Sequence, residues 1–278
     1  MGMTWDTRRE AGPTPQAYVF TLLERQVKGR QTTISSASMV EAMKRLGVSE
    51  QVTRVTLARM VERDYLQRHR RGRRTCFTIT ERCERVLEIN ESRLREVQAD
   101  RAGRREVDHN RWTLLSFSIP ETRRRDRRAL RVELAWNGFG PLRDGVWIAA
   151  GERDVTDIVE ELGLRGCIDL FVGQVRVPDP QLLVSRVWEL EEVRSGYDSF
   201  LARWDRDPFP AEAGDALGAE ILLITEWRLL VRAYPDVPPR YLPGDWPVAR
   251  CEMVVRRRRE QLRKPAQALF DEIVRRHP

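Results

Sequence analysis

Arginine is the side chain through which this sequence can do most of its chemistry. The densest arrangement runs from Ser49 to Thr80, SEQVTRVTLARMVERD followed by YLQRHRRGRRTCFTIT. At helical spacing the first half places Thr53, Thr56, Leu57, Met60 and Val61 on one face. The opposite face shows Gln51, Arg54, Val55, Ala58 and Arg59. Those types suit the major groove of DNA: Arg pairs with guanine, Gln with adenine, and small apolar groups meet the thymine methyl. Arg54 is the best base reader of the set. Arg59 either reads a base, contacts phosphate or pairs locally. Ser49 is a good N-cap for this helix, Glu50 favours the positive end of its dipole, and Ser49 joins the candidate DNA contacts.

The second half predicts two strands, Tyr65–His69 and Thr75–Thr80, joined by Arg70-Arg71-Gly72-Arg73. A basic hairpin tip with a glycine is how a winged helix reaches phosphates. Arg68, Arg70, Arg71, Arg73 and Arg74 are expected on phosphate or in the minor groove, adding affinity and salt dependence rather than base choice. The plain alternative is a helix–hairpin core with a solvated tip. Charge placement argues against it. From Arg25 to Arg74 there are thirteen Arg and Lys against four acids, so more than the whole net charge of +7 lies there. Only three of the 49 basic residues are Lys, so Arg richness by itself carries little weight; the clustering does.

Other chemistries find little support. Cys76, Cys83, Cys167 and Cys251 form no CxxC pair, and the only histidines are His69, His109 and His277. Neither a zinc site nor a disulfide framework is expected. There is no P-loop, GxSxG or HExxH, so no catalytic residue and no cofactor is predicted. No apolar run approaches the roughly 18–20 residues of a membrane span, and the N-terminus lacks signal-peptide form. The expectation is a cytoplasmic protein.

These side chains need elements to position them. A first helix spans Pro13 to about Lys28, with Tyr18, Leu22 and Leu23 inward; Thr32–Ile34 is a short strand. Ser38-Met39-Val40-Glu41 is a capping box opening a second helix, with Met39, Met43 and Leu46 inward. Helix, helix, helix, basic hairpin is the winged helix-turn-helix order. A largely charged connecting helix follows from Glu81 to about Arg101, then a polar linker, 102–110. Strand Trp112–Ile119, helix Glu121–Trp136, a hairpin around Arg143-Asp144-Gly145, helix Thr156–Leu164 and strand Ile168–Val177 give a βαββαβ, ferredoxin-like order. Pro178-Asp179-Pro180 marks a boundary. Beyond it lie helices Leu182–Glu192, Ser195–Arg206, Ala216–Ala233 and Pro247–Arg276. The predicted class is α+β, with a winged helix-turn-helix domain and connector over 13–101, a ferredoxin-like dimerisation domain over 108–178 and a helical domain over 179–278.

The ordered residues of all three segments resemble the PaaX family of bacterial transcriptional repressors. The first segment carries Arg54, Thr56, Leu57 and Arg59, then Gly72–Arg74 and Phe77–Thr80. The middle carries Trp112, Pro120, Arg128, Leu130, Leu134, Gly138-Phe139-Gly140, Gly145 and Trp147-Ile148. The last carries Trp188-Glu189-Leu190, Tyr197, Phe200-Leu201, Leu242-Pro243 and Asp245-Trp246-Pro247. Asp64 and Cys83 stand where the family often has Gly. The resemblance implies a homodimeric repressor of a double-stranded DNA operator. It further implies a Cas2-like middle domain and an acyl-CoA thioester, typically phenylacetyl-CoA, as effector.

The basic run Arg123–Arg128 reads as a solvated helix face, a second DNA contact or an anchor for CoA phosphates, and Asp126 interrupts it. Most of the eight Trp are core anchors. Arg124, Arg128, Trp188 and Trp246 are the effector-binding candidates. A Cas2-like fold also raises a metal-nuclease alternative, which needs a carboxylate at the end of the first strand. The stretch Leu115–Pro120 has none. A DNA-binding adaptor without a small ligand is the third reading.

Overall fold

The computed structural model describes residues 13–29, 33–88, 91, 111–177, 179–206, 210–233 and 237–277. Apart from residue 91, the expected connector beyond residue 88 lies outside them, as do the linker 102–110, Trp5 and the side chain of Trp136. The chain is a mixture of helices and two antiparallel sheets and divides into two compact units. One comprises residues 1–94, 197–230 and 248–278; the other comprises 95–196 and 231–247.

In the first unit, α1 (Pro15–Leu22) starts at Thr14, whose hydroxyl accepts the Ala17 N–H, with proline in its first turn. It widens into a π turn at Leu23–Val27. Strand β1 (Ile34–Ser35) leads into α2 (Ser36–Lys44). The cap of α2 is Ser35, not Ser38, because the Ser35 hydroxyl accepts the Ser38 N–H and the first turn begins three residues early. Helix α3 (Glu50–Glu62) is followed by β2 (Leu66–Arg71), β3 (Arg74–Ile79) and α4 (residues 81–88). The strand order is β1-β3-β2. Cys83, in the first turn of α4, is fully buried, and burial pushes its thiol up to about 12, so it packs as an inert apolar group.

Three later helices contribute to this unit: α8 (Leu190–Trp204) from Tyr197, α9 (Ala216–Ala233) to Leu230, and α10 (Val248–Arg276). Ion pairs and hydrogen bonds fix α9 to the π turn. Glu220, with no exposed surface, accepts from Arg25 at 2.9 Å and from Gln26 at 2.7 Å. Arg228 pairs with Glu24, and Thr225 hydrogen bonds Thr21 at 2.8 Å. A buried carboxylate is tolerated only when charge and hydrogen bonds replace its lost hydration. At the other end of α9, Arg45 reaches Asp215 at 2.6 Å. The buried Arg258 of α10 donates to the carbonyls of Trp204 and Arg206, and Ser35 donates to the His277 carbonyl at 2.7 Å.

The second unit holds β4 (Trp112–Phe117), α5 (Arg124–Trp136), β5 (Gly140–Arg143), β6 (Val146–Ala150), α6 (Thr156–Glu161), β7 (Ile168–Gly173) and α7 (Pro180–Val187). The strand order is β5-β6-β4-β7, antiparallel throughout. Leu115, Phe117, Trp147 and Ala149 face the helices and pack with Leu130, Leu134 and Val159. Arg143 pairs with Val146 across a tight Asp144-Gly145 turn, where Gly145 has φ +70° and its carbonyl accepts the Phe117 N–H. A Cβ at Gly145 would stand 2.8 Å from the Phe117 carbonyl oxygen. Strand β7 stops at Gly173, short of the expected Val177, because Gly173 is already opposite Trp112, the first residue of its partner β4.

Candidate nucleic-acid interface

Helix α3 sorts its residues as the spacing requires. Thr53, Leu57 and Met60 are at most 1% exposed, while Thr56 and Val61, expected on the same face, are half-buried at its margins. Gln51, Arg54, Val55, Ala58 and Arg59 all face solvent, and so does Val52, which the predicted face does not include although it lies three residues before Val55. The Ser49 hydroxyl accepts the Val52 N–H at 3.3 Å and its carbonyl accepts the Thr53 hydroxyl at 3.0 Å. Ser49 is therefore engaged as the cap that sets where the helix begins.

Arg54 is oriented within its own helix. Its Nε and Nη2 donate to one Glu50 oxygen at 2.9 and 2.7 Å, one turn back. Those hydrogen bonds hold the Glu50 carboxyl below its usual range. The guanidinium thus keeps one edge on Glu50. Arg59 makes no side-chain bond to a described residue, so the local pair considered for it is absent there.

The helix ends in a Schellman turn. Tyr65 N–H donates to the Met60 carbonyl at 2.8 Å and Asp64 N–H to Val61 at 3.0 Å, with Asp64 at φ +57°. The Thr80 hydroxyl donates to the Asp64 carbonyl at 2.6 Å, which ties the end of β3 to the end of α3. Leu66 is buried beneath, and the Tyr65 ring meets Phe20 edge-on. These contacts fix the angle at which the hairpin leaves the helix.

The strands run two residues closer to the tip than their spacing predicted on the β2 side, and one on the β3 side. Arg71 pairs with Arg74 across a two-residue Gly72-Arg73 turn. Gly72 is at φ +62° with no atom within 4 Å of where a Cβ would stand. Residues 67–74 are all exposed. The side chains of Arg68, Arg70, Arg71 and Arg73 make no bond to a described residue, and Arg74 stands exposed beside them. The geometry offers a helix face with mixed polar and apolar groups, followed by a row of exposed cations.

The four effector candidates are not assembled around one point. Arg123 donates to Asp126 and to the Leu162 and Gly163 carbonyls, Arg127 to the Ile119 carbonyl, and Arg131 to Asp144. That series holds α5 to its own unit. Arg124 and Arg128 stand exposed, one turn apart. Trp188 is half-buried against Trp112, with ring centroids 6.5 Å apart, and a Cβ on Gly140 would collide with it at 2.9 Å. Trp112 alternates with Thr113 and Leu115, so Trp188 lies on the sheet face away from α5. Trp246 is half-buried in the same unit.

Among the described residues no group of His, Cys, Asp and Glu is arranged to hold a metal ion, and no helix is long and apolar enough to cross a membrane. The cysteines are free thiols, all buried except the half-buried Cys167.

Comparison with known proteins bears on all three segments. Residues 14–83 match the family model described as PaaX-like protein, 105–184 the PaaX protein central Cas2-like domain, and 188–272 the PaaX-like protein C-terminal domain. The transcriptional repressor PaaX of Escherichia coli (strain K12) is 25% identical over 222 residues, covering 75% of this chain and 68% of the relative. An uncharacterised Mycobacterium tuberculosis protein, Rv0674, shares the fold with a TM-score of 0.57 at 19% identity, over 94% of this chain and 98% of its own.

Proposed function

Because the chain belongs to the PaaX family, we propose that it is a DNA-binding transcriptional repressor. The observation that carries this reading is the exposed face of α3 in one unit with an exposed hairpin tip lined by Arg68, Arg70, Arg71, Arg73 and Arg74. In this reading residues 13–101 are a winged helix-turn-helix domain with its connector, α3 enters the major groove, and the hairpin lies on phosphate. The strand order of the second unit supports a ferredoxin-like dimerisation domain over 108–178; the helical segment 179–278, matched over 188–272 by the C-terminal family model, contributes helices to both compact units. Two copies then read two half-sites separated by about 10 bp or a multiple.

The release signal in this reading is an acyl-CoA thioester. Arg124 and Arg128, exposed on α5, are the cations proposed for its phosphates, and Trp188 and Trp246 are the aromatic candidates. Effector binding favours a conformation whose half-site spacing no longer fits the operator, and a coupling of about 1–3 kcal/mol gives a 5- to 150-fold loss of affinity.

Gel shift on the DNA upstream of the protein's own coding region tests the reading. Specific binding lost in Arg54→Ala, retained without divalent metal and released by a CoA thioester is the expected result. Strand cleavage with Mg²⁺, and binding indifferent to Arg54→Ala, would replace the repressor by a Cas2-like nucleic-acid-processing enzyme. Binding with no release across a panel of thioesters leaves a DNA-binding adaptor.

A further inference from the structure

The exposed face of α3 carries two apolar side chains as well as its polar ones. Val52 is 42% exposed and Val55 is 45% exposed. Three residues apart on a helix, they are surface neighbours, with Cβ atoms about 5–6 Å apart. A β-branched side chain in a helix holds essentially one χ1 rotamer, so the pair forms a fixed ridge rather than two mobile groups. Single exposed apolar residues are ordinary, but this ridge has a particular setting. Gln51 and Arg59 border it on the same helix, Ala58 continues it one turn on, and the arginines of the hairpin follow in the chain. A cationic surround is complementary to a polyanion, and the only apolar group a duplex presents in its major groove is the thymine 5-methyl.

We propose that Val52 and Val55 form an apolar ridge that selects thymine methyl groups on adjacent base steps of the operator half-site. The inference rests on the DNA-binding reading above and specifies its base chemistry. Adjacent steps on one strand rise about 3.4 Å, so two neighbouring methyls lie within reach of one i, i+3 pair. Arg54 lies between the two valines in sequence and has one edge held by Glu50. A guanine beside the thymines is the base its free edge would meet. Ala58 extends the apolar strip without adding bulk.

The experiment is selection of duplexes from a randomised pool by the full-length protein. The selected site is then remade with deoxyuridine for each thymidine in turn, which removes only the 5-methyl. Expected are two adjacent thymines in each half-site, each losing about fourfold in affinity per half-site as deoxyuridine, the value of one buried methyl group. The same replacement in Val52→Ala/Val55→Ala is expected to cost less than twofold. Alanine is the better helix former at both exposed positions, so that variant keeps its fold. A selected site indifferent to deoxyuridine, or one that loses equally in wild type and variant, overturns the inference and leaves the DNA reading standing. Unchanged DNA binding with altered self-association in the variant assigns the ridge to a protein contact and overturns it as well. Failure to select any duplex overturns both.

Discussion

Asp64 shows how a single backbone angle joins two functional elements. It occupies the left-handed position of the Schellman turn, where a side chain costs roughly 1–2 kcal/mol and Asp is among the few types that tolerate it. Its carbonyl is needed by Thr80, so the strain cannot relax without moving the hairpin. Asp64→Gly removes the steric cost and adds about 0.5–1 kcal/mol of chain entropy to the unfolded state. The expected net gain is about 0.5 kcal/mol, read as a higher urea midpoint with an unchanged slope and unchanged DNA affinity. Asp64→Val is expected to lose stability at the same site. The sequence could not show this angle, because DY at positions 64–65 carries no turn signal. Ser49, Leu57 and Met60 were legible because capping and helical spacing are local properties. The i, i+4 spacing of Glu50 and Arg54 permits a pair but does not by itself show that it forms. Their hydrogen bonds make the pair one unit, and it decides which edge of Arg54 is free.

At the scale of elements, long-range polar contacts hold the helices of the first unit together, and these are what local patterns cannot reveal. Periodicity placed α9 and α10 almost to the residue, and the D-G turn placed the β5–β6 hairpin. Nothing in a window of neighbouring residues shows that Glu220 belongs to Arg25 and Gln26, nearly two hundred positions earlier. The π turn at Leu23–Val27 was equally invisible, since it follows from where Glu24, Arg25 and Gln26 find partners on α9. Glu220→Gln leaves Arg25 half-buried without its counter-charge, and breaking such a pair costs about 3–5 kcal/mol. Thermal or urea unfolding reads that loss, and a double-mutant cycle with Arg25→Met is expected to recover part of it. Asp205 ties the end of α8 to α10 through Arg250 and Arg257, and those hydrogen bonds hold its carboxyl below the usual carboxylate range. A carboxyl lowered on folding contributes stability above its unfolded pKa, about 3.9, and that contribution is lost as pH falls through the lower folded value. Stability profiles of wild type and Asp205→Asn are therefore expected to differ above pH 4 and to converge in stronger acid.

The whole molecule must explain why β7 is left as it is. Among the described residues it is the outer strand of its sheet, paired to β4, and it carries Leu170, Phe171 and Val172 into solvent, with Phe171 59% exposed. An apolar edge with free backbone donors and acceptors is a hazard that soluble proteins usually cover or charge. The prediction for the proposed dimer is that a second copy pairs with this edge. Leu170→Lys/Phe171→Lys places charge on that edge and changes no residue of α3 or the hairpin. The variant is expected to sediment as a monomer, to bind an isolated half-site as wild type does, and to lose the added affinity for two linked half-sites. Linkage of two modules contributes about 10²–10⁴-fold when the geometry permits both to engage. Inserting 5 bp between half-sites turns one to the opposite side of the duplex, since a full turn takes about 10 bp. That insertion is expected to weaken the wild-type complex by a comparable factor and to leave the variant unaffected. If both proteins respond equally to the insertion, or the variant remains dimeric, β7 is not the seam, and spacing is set by another surface.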